Sequence, residues 1–399
     1  MNIVIHTQYY PPETGAPQAR LFALTKGLIR RGHHVTVLTA MPNYPQGKIH
    51  DGYSGWMKIE HMDSARVLRS WIVPAQGRSF SARLLNYFSF VFSSFWTGLF
   101  YLDSPDVIIT ESPPLFLGIT GYLLAKLKGA RWIFNVSDLW PESAVRLGMA
   151  HEGLALQASR WLEEFCYRNA WAVKGQSREI LADITARFPD TRVYHLSNGA
   201  DTETFHPDAD PLPHYSQGGG DVVGLYAGLH GLAQGLDQIL SAVQRLADME
   251  ELKIVFFGDG PLKHDLIQQA REIPNVRFFD SRPHSEMPAL LAGADFCIVS
   301  LGLSLPGAVP SKLYEAMAAG RPVLLVADGE AAEIVRAHGC GLIVSPGDVD
   351  GIAQAIRRLA TDADLRQRLG DNGRLAAQAH FDHQTIMDRF ADFLEQEVK

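Results

Sequence analysis

A chain of 399 residues is long for one core, and its 46% hydrophobic and 20% charged content excludes a disordered or fibrous protein. Three cysteines, Cys166, Cys297 and Cys340, have neither CxxC nor metal-ligand spacing, which disfavours a disulfide framework and suits a reducing compartment. The net charge of −8 divides unevenly. Residues 1–200 hold 20 Lys and Arg against 15 Asp and Glu (+5), and residues 201–399 hold 16 against 29 (−13), so the first half suits an anionic partner.

The start, "MNIVIHTQ", has no basic segment ahead of an apolar run, so no signal peptide is expected. Short β-branched runs follow in order: "NIVIHTQ", "HVTVLTA", "ARVLRSWIV", "DVIITES", "RWIFNVS", "AWAVKGQ" and "VYHLSNG". Helical periods lie between them, as in Gln18–Arg31 and Ser177–Phe188. Strand and helix in alternation predict a parallel sheet with helices on both faces. Residues 201–220, "DTETFHPDADPLPHYSQGGG", read as a linker. Alternation then resumes with "DVVGLYAG", "LKIVFFGDG", "VRFFDS", "DFCIVSL", "RPVLLVAD" and "GLIVSP", and ends in helices over Asp348–Thr361 and Asp382–Glu397. Two doubly wound α/β domains are predicted, with a ligand at the carboxyl ends of both sheets.

Leu84–Leu102, "LLNYFSFVFSSFWTGLFYL", carries no charge and contains five Phe, two Tyr and one Trp. Its length suits a membrane span, but a helix crossing a bilayer could not return the chain to the next strand of the same sheet. A core helix and a helix lying in a membrane surface both fit. The second draws on Arg78 and Arg83 upstream and on the aromatics Phe88, Phe92 and Trp96.

Four stretches carry candidate chemistry. In "QYYPPETGAPQAR" a strand ends, Gly15 opens a helix, and Glu13 is a candidate base; a plain strand-to-helix turn reads equally well. In "YAGLHGLAQGLDQIL" three glycines, among them Gly228, suit either close helix–strand packing or a phosphate cradle rimmed by His230 and Gln234. "VPSKLYEAMAAGRPVL" opens a helix at Ser311, its expected N-cap, and puts Lys312 and Glu315 on one side of the first turn. The macrodipole accounts for Glu315 but opposes Lys312. An anion over the helix start, with the glutamate taking two ribose hydroxyls, accounts for both. In "FNVSDLWPES" Asp138 and Trp140 stand at a strand end and suit sugar binding, proton transfer or a simple turn cap, and Glu111 in "TESPP" has the same readings. His6, inside the first strand, reads as a core residue, and no cluster has metal spacing.

Four segments, "LTKGLIRRGHHVTVLTA", "LSNGADTETFHP", "VFFGDGPLKHDL" and "PSKLYEAMAAGRPVL", together resemble family 4 of the retaining, nucleotide-sugar-dependent glycosyltransferases over nearly the whole chain. "YYPPETGAP", "SDLWPES" and "PSKLYEAMAAG" are most similar to the bacterial transferases of N-acetyl-L-fucosamine in surface-polysaccharide assembly. The resemblance implies a GT-B fold, two Rossmann-like α/β domains facing across a cleft. Residues 1–200 would bind the acceptor, 221–380 the nucleotide sugar, and helix 381–399 would pack back on the first domain. It implies a UDP-sugar donor held by Gly15, Gly228, His230, Gln234, Arg282, Ser311, Lys312, Leu313 and Glu315. Glu13, Asp138 and Lys312 would be catalytic, and Glu111 and Trp140 would meet the acceptor. It further implies no metal or other cofactor. The aromatic helix and the positive first half suggest a polyprenyl-diphosphate-linked glycan acceptor and peripheral attachment to the inner face of the cytoplasmic membrane, and with no Lys/Arg-rich block no nucleic acid is expected. A UDP-sugar 2-epimerase of the same build and a non-catalytic sugar-nucleotide binder are the alternatives. The chain departs from the family pattern at Gly307, where a glutamate is usual, at Leu229 and Gln234, usually basic, and at Ser137, often histidine.

Overall fold

In the computed structural model the described residues are 1–44, 46–75, 80–146, 152–212, 220–303 and 305–398, with the side chains of residues 16, 80 and 81 excepted. The chain divides into two compact units, 1–197 with 386–399 and 198–385.

The first unit is built on β1 (Asn2–His6), α1 (Ala16–Arg30), β2 (His34–Ala40), β3 (Met57–Met62), β4 (Ala65–Ser70), α2 (Phe80–Tyr101), β5 (Val107–Ser112), α3 (Leu117–Lys128), β6 (Arg131–Val136), α4 (Glu142–Arg146), α5 (Leu154–Asn169), β7 (Ala172–Gly175), α6 (Arg178–Arg187) and β8 (Val193–His195). Its strands pair in the order β3-β4-β2-β1-β5-β6-β7-β8. All pairs are parallel except β3 with β4. That hairpin corrects the all-parallel expectation. β3 alternates polar residues along a half-exposed edge, so it lacks the apolar run that marks the buried strands. Asp63 and Ser64, both at positive φ, make the turn. Alternate residues of β1 point to opposite faces: Ile3 and Ile5 enter one core cluster and Val4 the other.

The second unit comprises β9 (Val222–Ala227), α7 (Leu236–Gln244), β10 (Leu252–Phe257), α8 (Lys263–Gln269), β11 (Val276–Phe279), α9 (Met287–Ala292), β12 (Phe296–Ser300), α10 (Ser311–Ala318), β13 (Val323–Val326), α11 (Glu330–His338), β14 (Gly341–Val344), α12 (Val349–Thr361) and α13 (Ala363–Ala376). Its sheet, in the order β11-β10-β9-β12-β13-β14, is parallel throughout and has a core cluster on each face. The last helix, α14 (His383–Glu397), returns the chain to the first unit, where Ile386, Met387, Phe390 and Leu394 pack against β1, β2 and α1 residues.

The segment expected as a linker from residue 201 is in part a docked piece of the second unit. Phe205 is buried in that unit's core. Asp201 accepts from the Glu203 and Thr204 amides, and Arg374 Nη1 donates to the Thr202, Phe205 and Ala318 carbonyls. These contacts satisfy a polar stretch whose composition alone reads as flexible. Residues 213–219 lie outside the described residues.

Candidate functional site

In each sheet the strand order reverses at one place, between β1 and β5 and between β9 and β12. The loops leaving the carboxyl ends of those strands diverge and leave room for a ligand. In the second unit these are the loop after β9, which carries Gly228, and the segment after β12 that leads into α10.

α10 forms because Leu313, Tyr314, Ala316, Met317 and Ala318 bury one side of it against the sheet, each large side chain contributing about 1.5–3 kcal/mol. Pro310, in extended backbone, is the N-cap in place of Ser311, and Ser311 is the first helical residue, so the helix starts one place earlier than expected. Pro310 suits this place because it has no N–H to leave unsatisfied.

Lys312 runs across the start of this helix. Its Nζ donates to Tyr226 Oη at 2.8 Å and lies 4.0 Å from the centre of the Tyr226 ring. The residue is half-buried and its ammonium is desolvated, which lowers its pKa to about 8 against the pull of Glu315. No carboxylate stands within ion-pair distance of it among the described residues. A buried cation without a counter-ion is costly unless an anion joins it.

The loop after β9 is shaped around that ammonium. Gly228 has φ 146°, and a Cβ there would lie 2.2 Å from Lys312 Nζ. Gly258, also at φ 146°, brings its Cα against the Gly228 carbonyl, where a Cβ would come to 1.8 Å. Glycine is favoured at both for conformation, and at Gly258, which meets backbone, for space as well; a methyl at Gly228 would push the tip of the Lys312 side chain aside. Glu315, half-buried, accepts from His284 Nε2 at 3.3 Å through one oxygen. That bond raises the His284 pKa, with burial opposing. A cavity of about 20 Å³, room for one water molecule, lies under Lys312 and Glu315 between Ala227 and Met287.

The structure thus brings together Gly228, Ser311, Lys312 and Glu315, and adds Tyr226 and His284. Other donor candidates stand apart. Leu313 is a core residue, and its N–H donates to the Pro310 carbonyl. His230 lies beneath the loop instead of at its rim, among the Tyr226, Phe256 and Phe278 rings, and burial lowers its pKa to about 4. Gln234 accepts from Ser300 Oγ through its carbonyl, and its side-chain oxygen is buried beside Gly231. Arg282 is exposed and 3.7 Å from Glu286. Gly307 has φ 75°, a turn conformation in which the usual glutamate would be strained.

In the first unit Gly15 is exposed and opens α1, with the Gln18 side chain folded against it. Glu13 is not free to act as a base. Its carboxylate is buried and accepts from the Asn43, Tyr44 and Tyr10 amides at 2.7, 2.8 and 3.4 Å, tying the loop after β1 to the loop after β2. Glu111 is likewise committed: it pairs with Arg20, accepts from Ser137 Oγ, and accepts from Asn135 Nδ2 at 2.6 Å. It orients Arg20, which also donates to Gln176 at 2.6 Å, and does not reach solvent to meet an acceptor. Asp138, on the turn after β6, is exposed as a residue and makes no side-chain hydrogen bond among the described residues. Desolvation by the protein packed around its carboxyl raises its pKa, Arg20 opposes the rise and Glu111 adds to it. Trp140 packs half-buried on the core. His6 is a core residue bonded to Ser94 and driven neutral by burial, with a pKa lowered to about 3. Lys174, on β7, is fully buried beneath the Phe390 ring at 5.5 Å, which lowers its pKa to about 7.

Arg83 is exposed in the first turn of α2, and Phe88, Phe92 and Trp96 are exposed along it. Arg78 lies outside the described residues. Among the described residues no helix is long and apolar enough to cross a membrane.

Tyr226 and His284 were not singled out by sequence. Tyr226 could have been: it stands two residues before Gly228, at the carboxyl end of a central strand. His284 had no such signal, because only folding brings the loop after β11 to Glu315.

A family model described as glycosyl transferase 4-like domain matches residues 15–199, and one described as glycosyl transferases group 1 matches residues 218–376. The putative colanic acid biosynthesis glycosyl transferase WcaI of Escherichia coli K12 is 29% identical over 380 residues, 90% of this chain and 92% of that protein. Among solved structures, sucrose-phosphate synthase from Thermosynechococcus elongatus superposes with a TM-score of 0.80 at 21% identity, covering 99% of this chain and 98% of the other. HepE of Anabaena, solved with UDP and glucose, superposes with a TM-score of 0.71 at 18% identity, covering 99% and 100%.

Proposed function

We propose that this chain, whose two parts match glycosyltransferase family models and whose fold is GT-B, is a family 4 glycosyltransferase that moves a sugar from a UDP-sugar to a lipid-linked glycan during surface-polysaccharide assembly. The observation that carries the reading is Lys312, a desolvated ammonium at the start of α10 with no carboxylate within ion-pair distance among the described residues, facing a glycine loop. A diphosphate supplies the missing counter-charge. The unsatisfied N–H groups of the first helical turn add donors, and the positive end of the helix dipole favours the anion.

In this scheme the second unit binds the donor. Glu315 accepts the two ribose hydroxyls, with His284 orienting one of its oxygens. As the glycosidic bond breaks, charge grows on the diphosphate, and Lys312 stabilises it more than it stabilises the intact donor, which lowers the barrier. The acceptor attacks from the face the diphosphate leaves, with retention at the anomeric carbon. Asp138, the one exposed carboxylate among the three candidates, is the proposed acceptor base, in place of Glu13. The UDP in the HepE structure makes UDP the first nucleotide to test, and WcaI, named for colanic acid biosynthesis, supports a surface-polysaccharide product. N-acetyl-L-fucosamine is the sugar to try first, and a polyprenyl-diphosphate-linked glycan at the cytoplasmic membrane face is the proposed acceptor.

The test is a panel of UDP-, GDP- and dTDP-sugars incubated with the chain, with and without membrane lipid-linked glycan. The reading expects free UDP to appear only when acceptor is present, together with a glycan one sugar longer. UDP release that needs no acceptor, or interconversion of UDP-sugars without transfer, would replace it with hydrolysis or epimerisation.

A further inference from the structure

α2 is amphipathic in the wrong sense for a helix in water. Its polar side chains Asn86, Ser89, Ser93, Ser94 and Thr97 are the buried ones. Most are satisfied inside the protein: Asn86 donates to the Val73 carbonyl, Ser89 accepts from the Val73 amide, Ser93 donates to the Trp71 carbonyl, and Ser94 pairs with His6. Outward point Leu85, Phe88, Phe92, Trp96 and Phe100, with Phe92 56% and Phe100 70% exposed. A surface helix normally does the reverse. Phe88, Phe92, Trp96 and Phe100 recur every fourth residue, so they form one stripe about 18 Å long.

The stripe is wider than one helix. Phe92 touches Trp56, which stacks on Trp71, at centroid distances of 6.2 and 5.8 Å, and both tryptophans are exposed. α3 packs beside α2, with Thr120 Oγ1 bonded to the Val91 carbonyl and Lys128 Nζ to the Leu99 and Leu102 carbonyls. It shows Ile119, Leu123 and Leu127, again four apart, on its own outer side. Across the 22 residues of α2 and the 12 of α3 there is no Asp or Glu, and the charges are Arg83, Lys126 and Lys128.

We propose that the outer face of α2 and α3, with Trp56 and Trp71, seats the first unit in an anionic lipid bilayer. The helices lie in the plane of the headgroups, and the exposed rings and leucines enter the acyl boundary. The charge pattern selects this occupant. Arg83 and Lys126 border the stripe and attract anionic headgroups, and the absence of carboxylates removes the repulsion they would add. Indole and phenyl rings beside cations are the mixture that settles at this depth. A second copy of the chain would bring the same cations against themselves, and protein interfaces deplete lysine. The inference stands apart from the transfer reaction, because it concerns a surface and needs neither donor nor acceptor.

The experiment sediments the purified full chain with phosphatidylcholine vesicles, with and without phosphatidylglycerol. The chain is expected to pellet with the anionic vesicles and to be released by salt. The triple variant Phe92→Ser/Trp96→Ser/Phe100→Ser is expected to lose at least about tenfold in partitioning, while Leu375→Ser, at an exposed leucine of α13, keeps wild-type binding. Should the triple variant fail to fold, wild-type tryptophan fluorescence serves: brominated lipids are expected to quench it. A wild-type chain that stays in the supernatant unquenched overturns the proposal. So does a stable dimer in sedimentation equilibrium that the triple variant breaks without any vesicle binding.

Discussion

The proton affinity of Lys312 gives the sharpest prediction. Burial lowers its pKa from 10.5 to about 8 in the free chain. It is then about 90% protonated at pH 7 and about 10% at pH 9. A diphosphate beside the ammonium favours the charged form by about 4 kcal/mol at 4 Å and an effective dielectric near 20, enough to keep the lysine protonated in the complex across this window. The last phosphate proton of UDP leaves near pH ~6, so UDP is already about 90% ionised at pH 7 and its own titration changes affinity little across the window. Binding therefore takes up a proton above pH 8, and UDP affinity measured by calorimetry should fall about tenfold from pH 7 to pH 9. In Lys312→Arg the profile should be flat. In Lys312→Met binding should be weak and equally flat. A wild-type profile without slope, or the same slope in Lys312→Met, refutes the reasoning.

Further outcomes follow from individual contacts. Gly228→Ala puts a methyl on the Lys312 ammonium in a backbone conformation costing about 1–3 kcal/mol for a non-glycine residue, so it should lower both thermal stability and UDP affinity; a variant with wild-type melting and binding contradicts the close packing of the two residues. Glu315 raises the His284 pKa, so the charged pair stabilises the fold below about pH 6.5 and is lost as pH climbs through the folded-state value; in Glu315→Gln the His284 NMR titration midpoint should fall towards the ordinary value, and an unmoved midpoint removes the pair. Glu13→Gln keeps an oxygen for the Asn43 and Tyr44 amides but sets an NH2 against the Tyr10 amide and removes the charge, and should cost about 1–2 kcal/mol in urea unfolding, whereas Glu13→Gln with full stability and lost turnover would restore the base role. Lys174 has a folded pKa near 7, so below that pH it is charged and burdens folding, and stability should rise as pH climbs from 7 towards 10.5; Lys174→Met should flatten part of that rise, and an unchanged profile means that the ammonium is not buried in solution.

Much of the fold could be read directly because its strands are buried on both faces. Ile3–Ile5 is apolar and β-branched without interruption and Val323–Val326 is apolar throughout, and helices between such runs follow the 3.6 period. β3 escaped because an edge strand of alternating polar residues looks like a loop. The docked part of the 201–220 segment escaped because its anchors are distant: Asp382 and Arg374 hold Thr202, and no local pattern announces them. Lys312 and Gly228 stood out, one as a cation at the unfavourable end of a helix and one as a glycine after a central strand. Glu13, Glu111 and Asp138 could not be ranked from sequence, since all three are carboxylates at strand ends. Folding separates them: backbone amides claim Glu13, Arg20 and its neighbours claim Glu111, and Asp138 is left without a side-chain hydrogen bond among the described residues. The α2 segment left two readings open because composition does not say which face is inside.

A crystal of the chain soaked with UDP tests the central claim most directly. The account predicts diphosphate density against Lys312 Nζ, Gly228 and the first turn of α10, with the ribose on Glu315. A nucleotide bound elsewhere on the second unit, or full-occupancy UDP that leaves Lys312 on Tyr226 with no phosphate in reach, would contradict it.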